Sequence, residues 1–256
     1  MIDAERRAAL EVIAGEVRGC TRCRLAETRT RAVPGEGDPA TEVVFIGEAP
    51  GMNEDREGRP FVGRAGGLLV NLLGHIGWQR DEVFITNIVK CRPPGNRDPE
   101  PDEIAACAPY LERQLATLDP SVVVTLGRYS MGRFMPGVRI SQAHGTTRHA
   151  EPATGAADAT VFAMYHPAAA LRTPAIERES YDDVARIPAV LVEARARRAG
   201  TARAATSPTT VEADRGATAT PATATPATAT PATAATPTGT PAAEPAAEPI
   251  DQLSLF

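Results

Sequence analysis

The sequence predicts an α/β fold: a three-layer α/β/α sandwich with a central, mostly parallel sheet of four strands. Four short runs rich in β-branched residues recur along the chain, and each ends in turn-forming or polar residues. Segments with helical patterns of apolar residues separate these runs. Strands that alternate with helices form a mostly parallel sheet covered on both faces. The chain of 256 residues, 43% of them hydrophobic, can bury one good-sized core.

The predicted elements follow one another in the order that this fold requires. A helix at about 3–18 precedes the first strand, and another at about 175–199 follows the last. The predicted strands are EVVFIGEAP (42–50), EVFITNIVK (82–90), SVVVTLG (121–127) and TVFAMYHP (160–167), and the helices between them are 66–78, 99–118 and 128–135. Because ligands bind beyond the carboxyl ends of parallel strands, we expect a site where these four strands end.

Composition divides the chain into a folded part and a tail. Residues 1–200 carry the predicted elements, whereas residues 201–249 are mostly Ala, Thr and Pro and repeat the motif TATPA. Such a segment cannot bury a core, so we expect a disordered linker. Residues 250–256, IDQLSLF, restore large apolar side chains.

Location and redox environment can also be predicted. No stretch approaches the roughly 18 to 20 apolar residues of a membrane span, and MIDAERRAAL at the start is charged from its third residue, unlike a signal peptide. We therefore expect a cytoplasmic protein, in which thiols stay reduced. The four cysteines then favour a metal site or catalysis over disulfides, and the net charge of −5 predicts no broad basic surface.

The segment after the first strand, GEAPGMNEDREGRPFVGRAGGLL, has the residues of a ligand-binding mouth. Gly47 and Gly51 allow a backbone to approach a ligand closely, and Glu48 and Glu54 add carboxylates. Phe61 lies in a loop rich in glycine and proline, where no core obviously needs an aromatic ring. An ordinary turn with a packing phenylalanine is the alternative interpretation.

Two other strands end in single polar side chains. Asn87 ends FITN, and its amide can both donate and accept, so it could match a base edge that offers one of each. His166 ends a later strand, where it could stabilise developing negative charge. Taken singly, a turn-capping asparagine and a turn histidine are the simpler interpretations.

Four cysteines have a spacing compatible with a metal centre. Cys20 and Cys23 form a C-x2-C pair, and Cys91 and Cys107 follow later in the chain. Four thiolates can hold structural zinc or an iron–sulfur cluster. Zinc sites more often use two tight pairs, which the wide second pair fits less well, but the spacing alone leaves both metals open.

Together these motifs resemble a known family. GEAPGMNEDREGRPFVGRAGGLL, ITNIVKCRPPGNRDP and YHPAAALR, with CTRC near the N-terminus, are similar in order and spacing to the thermostable iron–sulfur uracil-DNA glycosylases known as family four. The resemblance covers about residues 8–195. It implies a DNA-repair hydrolase that flips uracil out of DNA and cleaves its N-glycosidic bond, which starts base excision repair. It also implies a four-iron, four-sulfur (4Fe-4S) cluster with a structural role on Cys20, Cys23, Cys91 and Cys107.

The resemblance implies roles for the residues of the mouth. Phe61 would stack on the extruded base while Asn87 reads its O4 and N3–H. His166 would donate toward uracil O2 and so stabilise the anion that forms on cleavage. Gly47 and Gly51 would let the backbone approach the base.

The group that handles the attacking water is the least defined part of the site. Ala49 stands where the best-known uracil glycosylases have a water-activating aspartate, a gap that family four shares. We nominate Glu48 first and Glu54 second. Either carboxylate could instead hold the loop or position the sugar.

The loop HPAAALR is expected to contact DNA. It passes through Pro167 and Ala168 and would enter the minor groove with Leu171 as the wedge and Arg172 on phosphate. A lyase that cuts the strand needs an amine, and Lys90, beside a proposed cluster ligand, is the only lysine. We therefore expect a monofunctional enzyme, and a monomer.

The end of the chain suggests a protein partner. QLSLF (252–256) resembles the short peptide by which bacterial replication and repair proteins dock on the sliding clamp. The apolar side chains through Phe256 would enter a pocket while Gln252 hydrogen-bonds at its rim. A flexible linker would let a clamp-bound enzyme search nearby DNA.

Two other classes of function remain as alternatives. A zinc-stapled DNA-binding or adaptor protein would bind DNA and release no uracil. An iron–sulfur α/β redox protein would show reversible reduction of its cluster coupled to a substrate.

Overall fold

A computed structural model describes residues 2–206 of the chain. Within that range, helices and strands alternate as the sequence predicts. The strands are β1 (Glu36–Gly37), β2 (Val43–Gly47), β3 (Phe84–Asn87), β4 (Val122–Leu126), β5 (Thr147–His149) and β6 (Thr160–Met164). The helices are α1 (Asp3–Arg18), α2 (Leu25–Thr28), α3 (Met52–Glu57), α4 (Arg64–His75), α5 (Pro101–Leu118), α6 (Arg128–Phe134), α7 (Ile140–Ala143), α8 (Pro167–Ala170), α9 (Pro174–Val184) and α10 (Ile187–Thr206).

The strands form one sheet in the order β1-β3-β2-β4-β6-β5. The central strands β3, β2, β4 and β6 run parallel, with Gly47 opposite Asn87 at the ends of β2 and β3. This confirms the predicted parallel centre. The edge strands β1 and β5 pair antiparallel with it. The sequence does not reveal them, because they are two and three residues long and none of those residues is buried.

The sheet is covered by helices on both faces, as a three-layer sandwich requires. Val44 and Ile46 of β2 share one core with α1, α5 and α6, whereas Val43 and Phe45 share the other with α4, α9 and α10. This division follows from the two-residue period of a strand, which sends alternate side chains to opposite faces. Each such side chain contributes about 1.5–3 kcal/mol when it is fully buried. The strand ends are therefore fixed by a packed core on both sides.

The helix predicted over 175–199 is two helices, α9 and α10. Pro188, at the second position of α10, lacks an N–H, and its ring disfavours helical continuation from the carbonyl four residues earlier, that of Val184. The first helix ends at that residue. The second continues to Thr206, past the predicted domain boundary at residue 200.

Two short helices occupy segments that the sequence predicts as loops. Helix α3 begins after Gly51 and ends at Gly58, whose φ of 74° is the left-handed conformation that glycine adopts readily. Helix α8 begins at Pro167, a position where the missing N–H of proline leaves no bond unmade. The two helices follow β2 and β6, so they lie at the carboxyl edge of the sheet.

One compact unit of the chain ends at Thr206. No helix in the described part of the chain is long and apolar enough to cross a membrane. The predicted linker from residue 207 onward and the predicted clamp-binding peptide, 250–256, lie outside the described residues.

Candidate active site

Three of the predicted site residues meet at the ends of β2 and β3. Gly47 and Asn87 are direct neighbours in the sheet, and the Ile88 amide donates to the Gly47 carbonyl at 3.0 Å. A Cβ atom on Gly47 would lie 2.6 Å from Cζ of Phe61 and would also collide with Oδ1 of Asn87. Glycine is therefore required here, because any side chain would push apart the ring and the amide.

The side chain of Asn87 has an unsatisfied acceptor. The residue is 1% exposed, and its Oδ1 has no hydrogen-bond partner among residues 2–206. A buried polar atom without a partner costs about 1–3 kcal/mol, so native proteins keep few of them. A bound ligand with a correctly placed N–H would supply the missing donor.

The ring of Phe61 is held in place by an unusual backbone conformation. Its φ is 50°, a left-handed value that costs a non-glycine residue free energy and persists only when the surroundings impose it. Arg80 donates to the Phe61 carbonyl at 3.0 Å and also to the Pro60 carbonyl, while its guanidinium pairs with Glu36 at 2.9 Å. Arg80 and Glu36 lie far from Phe61 in the chain, and no sequence motif marks either of them.

The carboxylate of Glu54 also holds this loop. Its Oε1 accepts the backbone N–H groups of Val62 at 2.9 Å and of Gly63 at 2.8 Å. Its Oε2 would be 2.8 Å from a Cβ on Gly51, so that glycine lets helix α3 bring the carboxylate to the loop. This geometry matches the loop-holding alternative for Glu54 more closely than a role in handling water.

His166 lies beside Phe61 as a neutral imidazole with a defined tautomer. The two ring centroids are 5.7 Å apart, with 33° between the ring planes. The Ala168 N–H donates to Nδ1 of His166 at 3.1 Å, which leaves the proton of the neutral ring on Nε2. The pKa of His166 is lowered to about 4, mainly by burial; the charge of Glu54 opposes this shift and that of Arg172 adds to it. At neutral pH the side chain is therefore a neutral donor.

Glu48 follows Gly47 directly and has a strongly shifted acidity. Burial raises its pKa to about 7; the charge of Asp98 adds to this shift and that of Arg128 opposes it. Nη2 of Arg128 lies 2.5 Å from Oδ2 of Asp98, and its guanidinium lies over the ring of Tyr129 at 4.6 Å. Such a carboxylate can accept a proton near neutral pH, which suits a general base.

The predicted DNA-contacting residues lie on and just after α8. Leu171, which ends this helix, is 44% exposed although it is a large apolar residue, and Arg172 beside it is also exposed. Pro167 is buried and begins the helix, and the Ala168 amide is the one that binds His166. The exposed pair is therefore attached rigidly to the histidine.

The four cysteines line one cavity, as a shared metal centre requires. Cys20 and Cys23 are half-buried and follow α1, Cys91 follows β3, and Cys107 lies on α5. In the described range, no three His, Cys, Asp or Glu side chains already form a ready site for a metal ion. The shared cavity is the stronger observation, because a thiol can reach a ligand by one rotation about its χ1 bond.

Two N–H groups donate hydrogen bonds to cysteine sulfurs in this cavity. Arg29 donates to Cys91 Sγ at 3.1 Å, and the backbone N–H of Lys90 donates to Cys107 Sγ at 3.2 Å. Without a metal, burial raises the pKa of Cys91, and it raises that of Cys107 to about 11, so the thiols would stay protonated. A bound metal centre would reverse this, and N–H groups aimed at the sulfurs stabilise thiolate ligands.

Comparison with known proteins defines the class of this molecule. Residues 34–186 match the family model described as the uracil DNA glycosylase superfamily, and the chain belongs to that superfamily. The matched range contains every residue described above for the base-binding mouth and the exposed loop after β6.

Similar proteins identify the family to which the chain belongs within this superfamily. The type-4 uracil-DNA glycosylase of Sulfurisphaera tokodaii is 48% identical over 188 residues, which are 70% of this chain and 83% of the relative. That of Saccharolobus solfataricus is 47% identical over 71% of this chain and 86% of the relative, and that of Thermotoga maritima is 42% identical over 65% and 85%. Within the superfamily, the chain is a member of the type-4 family, which confirms the resemblance found in its motifs.

Proposed function

We propose that this chain is a monofunctional uracil-DNA glycosylase, which flips uracil out of DNA, hydrolyses its N-glycosidic bond and leaves an abasic site. The observation that carries the proposal is the buried Oδ1 of Asn87, an acceptor without a partner beside a buried aromatic ring. Membership of the type-4 family supports the same activity. Nothing in the comparisons favours a non-catalytic adaptor or a redox protein.

Recognition of uracil would depend on Asn87 and Phe61. Oδ1 would accept the uracil N3–H and the amide nitrogen would donate to O4, while the Phe61 ring stacks on the extruded base. Cytosine has an amino group and an unprotonated N3 at the same positions, so both contacts would be mismatched. A buried polar group without its partner is costly, and that cost is the basis of selection.

Cleavage would be assisted by His166 and Glu48. The bond between C1′ and N1 breaks with its electron pair on uracil, and Nε2–H of His166 donates to O2, where the negative charge develops. Water forms the new bond to C1′ and gives its proton to the carboxylate of Glu48. Glu54 would keep the loop of Phe61 closed over the base.

Contact with DNA would come from the loop after β6. Leu171 would fill the space that the extruded nucleotide leaves, Arg172 would bind phosphate, and the backbone at Pro167 and Ala168 would follow the strand. Lys90 supports the monofunctional assignment, since its side chain is 1% exposed and cannot reach a sugar carbon to form a Schiff base.

The cysteine cavity is proposed to hold a 4Fe-4S cluster on Cys20, Cys23, Cys91 and Cys107. Bound there, the cluster would supply a structural crosslink, because hydrolysis of an N-glycosidic bond needs no electron transfer. A cytoplasmic location, which the sequence predicts, would keep the thiols reduced for assembly.

The end of the chain is proposed to bind the sliding clamp through residues 252–256. Deletion of 250–256 should leave excision from short oligonucleotides intact and abolish clamp binding, because the peptide would act only by tethering. Fluorescence anisotropy with a tail peptide and the cognate clamp measures this. No binding at high micromolar concentration would contradict the idea.

One assay tests the central proposal. The full chain is incubated with a uracil-containing oligonucleotide, with uracil-free and single-stranded controls, and abasic sites are revealed by alkali. Uracil-dependent strand breaks that appear only after alkali are expected. Breaks without alkali would indicate a lyase, and the absence of any breaks would contradict the glycosylase assignment. Size-exclusion chromatography of the same preparation tests the expected monomer.

A further inference from the structure

Lys90, the only lysine of the chain, is buried with no carboxylate among the partners of its ammonium group. Its side chain is 1% exposed. Nζ donates to Thr86 Oγ1 at 2.6 Å, to Gln114 Oε1 at 2.7 Å and to the backbone carbonyl of Asn87 at 2.8 Å. An ammonium has three donors, so these three neutral oxygens satisfy it completely. Burying a cation costs free energy, and these three hydrogen bonds offset part of that cost.

The acceptors of Lys90 belong to a closed network that joins three segments. Thr86 Oγ1 donates to the Pro34 carbonyl at 3.0 Å, and Gln114 Nε2 donates to the same carbonyl at 2.7 Å. The Lys90 carbonyl in turn accepts the Val33 N–H at 2.7 Å. The network thus connects the end of β3 to helix α5 and to the segment before β1. Buried polar networks with every member satisfied hold their surroundings in one arrangement.

We propose that Lys90 is a positioning residue for base recognition: it holds the backbone of Asn87 so that the Asn87 amide faces the base in one orientation. This inference rests on the proposed uracil-DNA glycosylase function. Oδ1 of Asn87 has no partner of its own in the described structure, so the orientation of the amide depends on how the main chain of Asn87 is held. A side-chain amide that recognises a base must be held within about 0.5 Å of the productive geometry. The ammonium on the Asn87 carbonyl supplies that anchor.

The role of the Lys90 side chain can be separated from the cysteine cavity. The contact with Cys107 Sγ is made by the backbone N–H of Lys90, whereas the hydrogen bonds of the ammonium within residues 2–206 all go to the network described above. The ammonium acts on the Cys107 thiol only through its charge. A substitution of the side chain therefore leaves the N–H···S bond in place. A purely structural role in the cavity predicts loss of metal, whereas a positioning role predicts loss of base recognition with the metal retained.

The test compares Lys90→Met with wild type as purified full-length protein. Methionine has a similar length and keeps the volume, but donates no hydrogen bond. We expect the inhibition constant for free uracil to rise, and kcat/KM on a uracil oligonucleotide to fall, on the order of tenfold. Iron and zinc content per chain should not change. Leu115→Val, in the same buried core but outside the network, is the matched control: at a similar loss of melting temperature it should keep the wild-type inhibition constant.

Each outcome of these measurements supports or contradicts either the proposed function or the role of Lys90. Wild-type protein that releases no uracil contradicts the proposed function, whereas active wild type with an unaffected Lys90→Met variant contradicts only the role of Lys90. Loss of metal in Lys90→Met, or the same change in Leu115→Val, also overturns it. If Lys90→Met is insoluble, Gln114→Met removes one anchor of the ammonium far from the base: a severalfold rise in the uracil inhibition constant is expected, and an unchanged value overturns the proposal.

Discussion

Burial shifts two titratable residues of the site in opposite directions. It lowers the pKa of His166 to about 4 and raises that of Glu48 to about 7, because in both cases it disfavours the charged form. At neutral pH the histidine is therefore an uncharged donor, and a substantial fraction of the glutamate is an available base. The proposed hydrolysis uses a donor and a base together, and these environments suit His166 to the first role and Glu48 to the second.

The pH dependence of excision follows from these shifts. Because Glu48 must be ionised to act as a base, kcat should rise as pH increases through about 7, and His166 should add no further change down to about 4. Asp98→Asn should move this acid limb to lower pH, since Asp98 raises the pKa of Glu48. Single-turnover rates between pH 5 and 9 measure both effects. A flat wild-type profile, or a limb that persists in Glu48→Gln, would exclude Glu48 as the base.

Substitution of the two side chains that we propose to contact the base should separate binding from chemistry. His166→Ala should lower kcat on the order of 10²–10³-fold with little change in DNA affinity, because the anion that it stabilises exists only late in the reaction. Asn87→Asp should weaken uracil excision, since a carboxylate cannot donate to O4. Rates and DNA affinities of both variants are compared with wild type. Wild-type excision by both would show that this edge of the sheet is not the active site.

The site residues at strand ends could be predicted from the sequence, but the residues that hold them in position could not. Asn87 and His166 follow buried β-branched runs, so the parallel fold alone places both at the carboxyl edge of the sheet. Arg80 lies outside the motifs, and Asp98 lies inside one without any sign of a site role; both act on the site only through tertiary contacts. Sequence periodicity says nothing about where a long polar side chain ends.

At the scale of whole elements, the loop around Phe61 has a strained backbone, because Phe61 has a left-handed φ of 50°. Glu54 of α3 and Arg80 both hydrogen-bond to the loop around its left-handed residue, Phe61. Helix α4 makes the third contact: a Cβ on Gly66 would collide with the Phe61 backbone, so the helix packs directly on the loop. The three contacts together hold a conformation that the loop would not adopt alone.

Arg80→Met should release that conformation. The Phe61 ring would then leave the stacking position part of the time, so kcat/KM for uracil should fall about tenfold or more while affinity for uracil-free DNA stays the same. Arg59→Met is the matched control, because Arg59 pairs with the same Glu36 without a bond to the loop carbonyls. Equal effects of the two substitutions would assign the loss to the ion pairs with Glu36 rather than to the bonds of Arg80 to the loop carbonyls.

The limits of prediction for whole elements have identifiable causes. The central strands are predictable because burial on both faces makes them continuous apolar runs. The predicted helix over 175–199 ignores Pro188, whose missing N–H and ring favour a break. Short helices such as α3 and α8 follow strands directly and have too few residues to show a helical period.

The cysteine cavity connects distant parts of the whole molecule. It joins the segment after α1, the segment after β3 and the middle of α5. The sequence spacing left zinc and iron–sulfur both open, because spacing does not say how these segments approach one another. Only the family resemblance favoured the cluster, and the N–H groups directed at the sulfurs suit a thiolate metal centre of either kind.

Removal of one cysteine ligand tests whether a metal centre crosslinks these segments. Cys91→Ala should yield colourless protein with little iron, because three thiolates hold a four-iron cluster poorly. Since binding free energy of a structural metal centre is folding free energy, and 1 kcal/mol shifts the melting temperature of a domain of this size by about 2–4 °C, we expect a fall of more than about 10 °C. Leu115→Ala, a buried residue of α5 outside the cavity, should lose stability but keep its visible absorption. A stable, fully active and colourless Cys91→Ala protein would contradict the structural role, and stoichiometric zinc in colourless wild type would overturn the cluster itself.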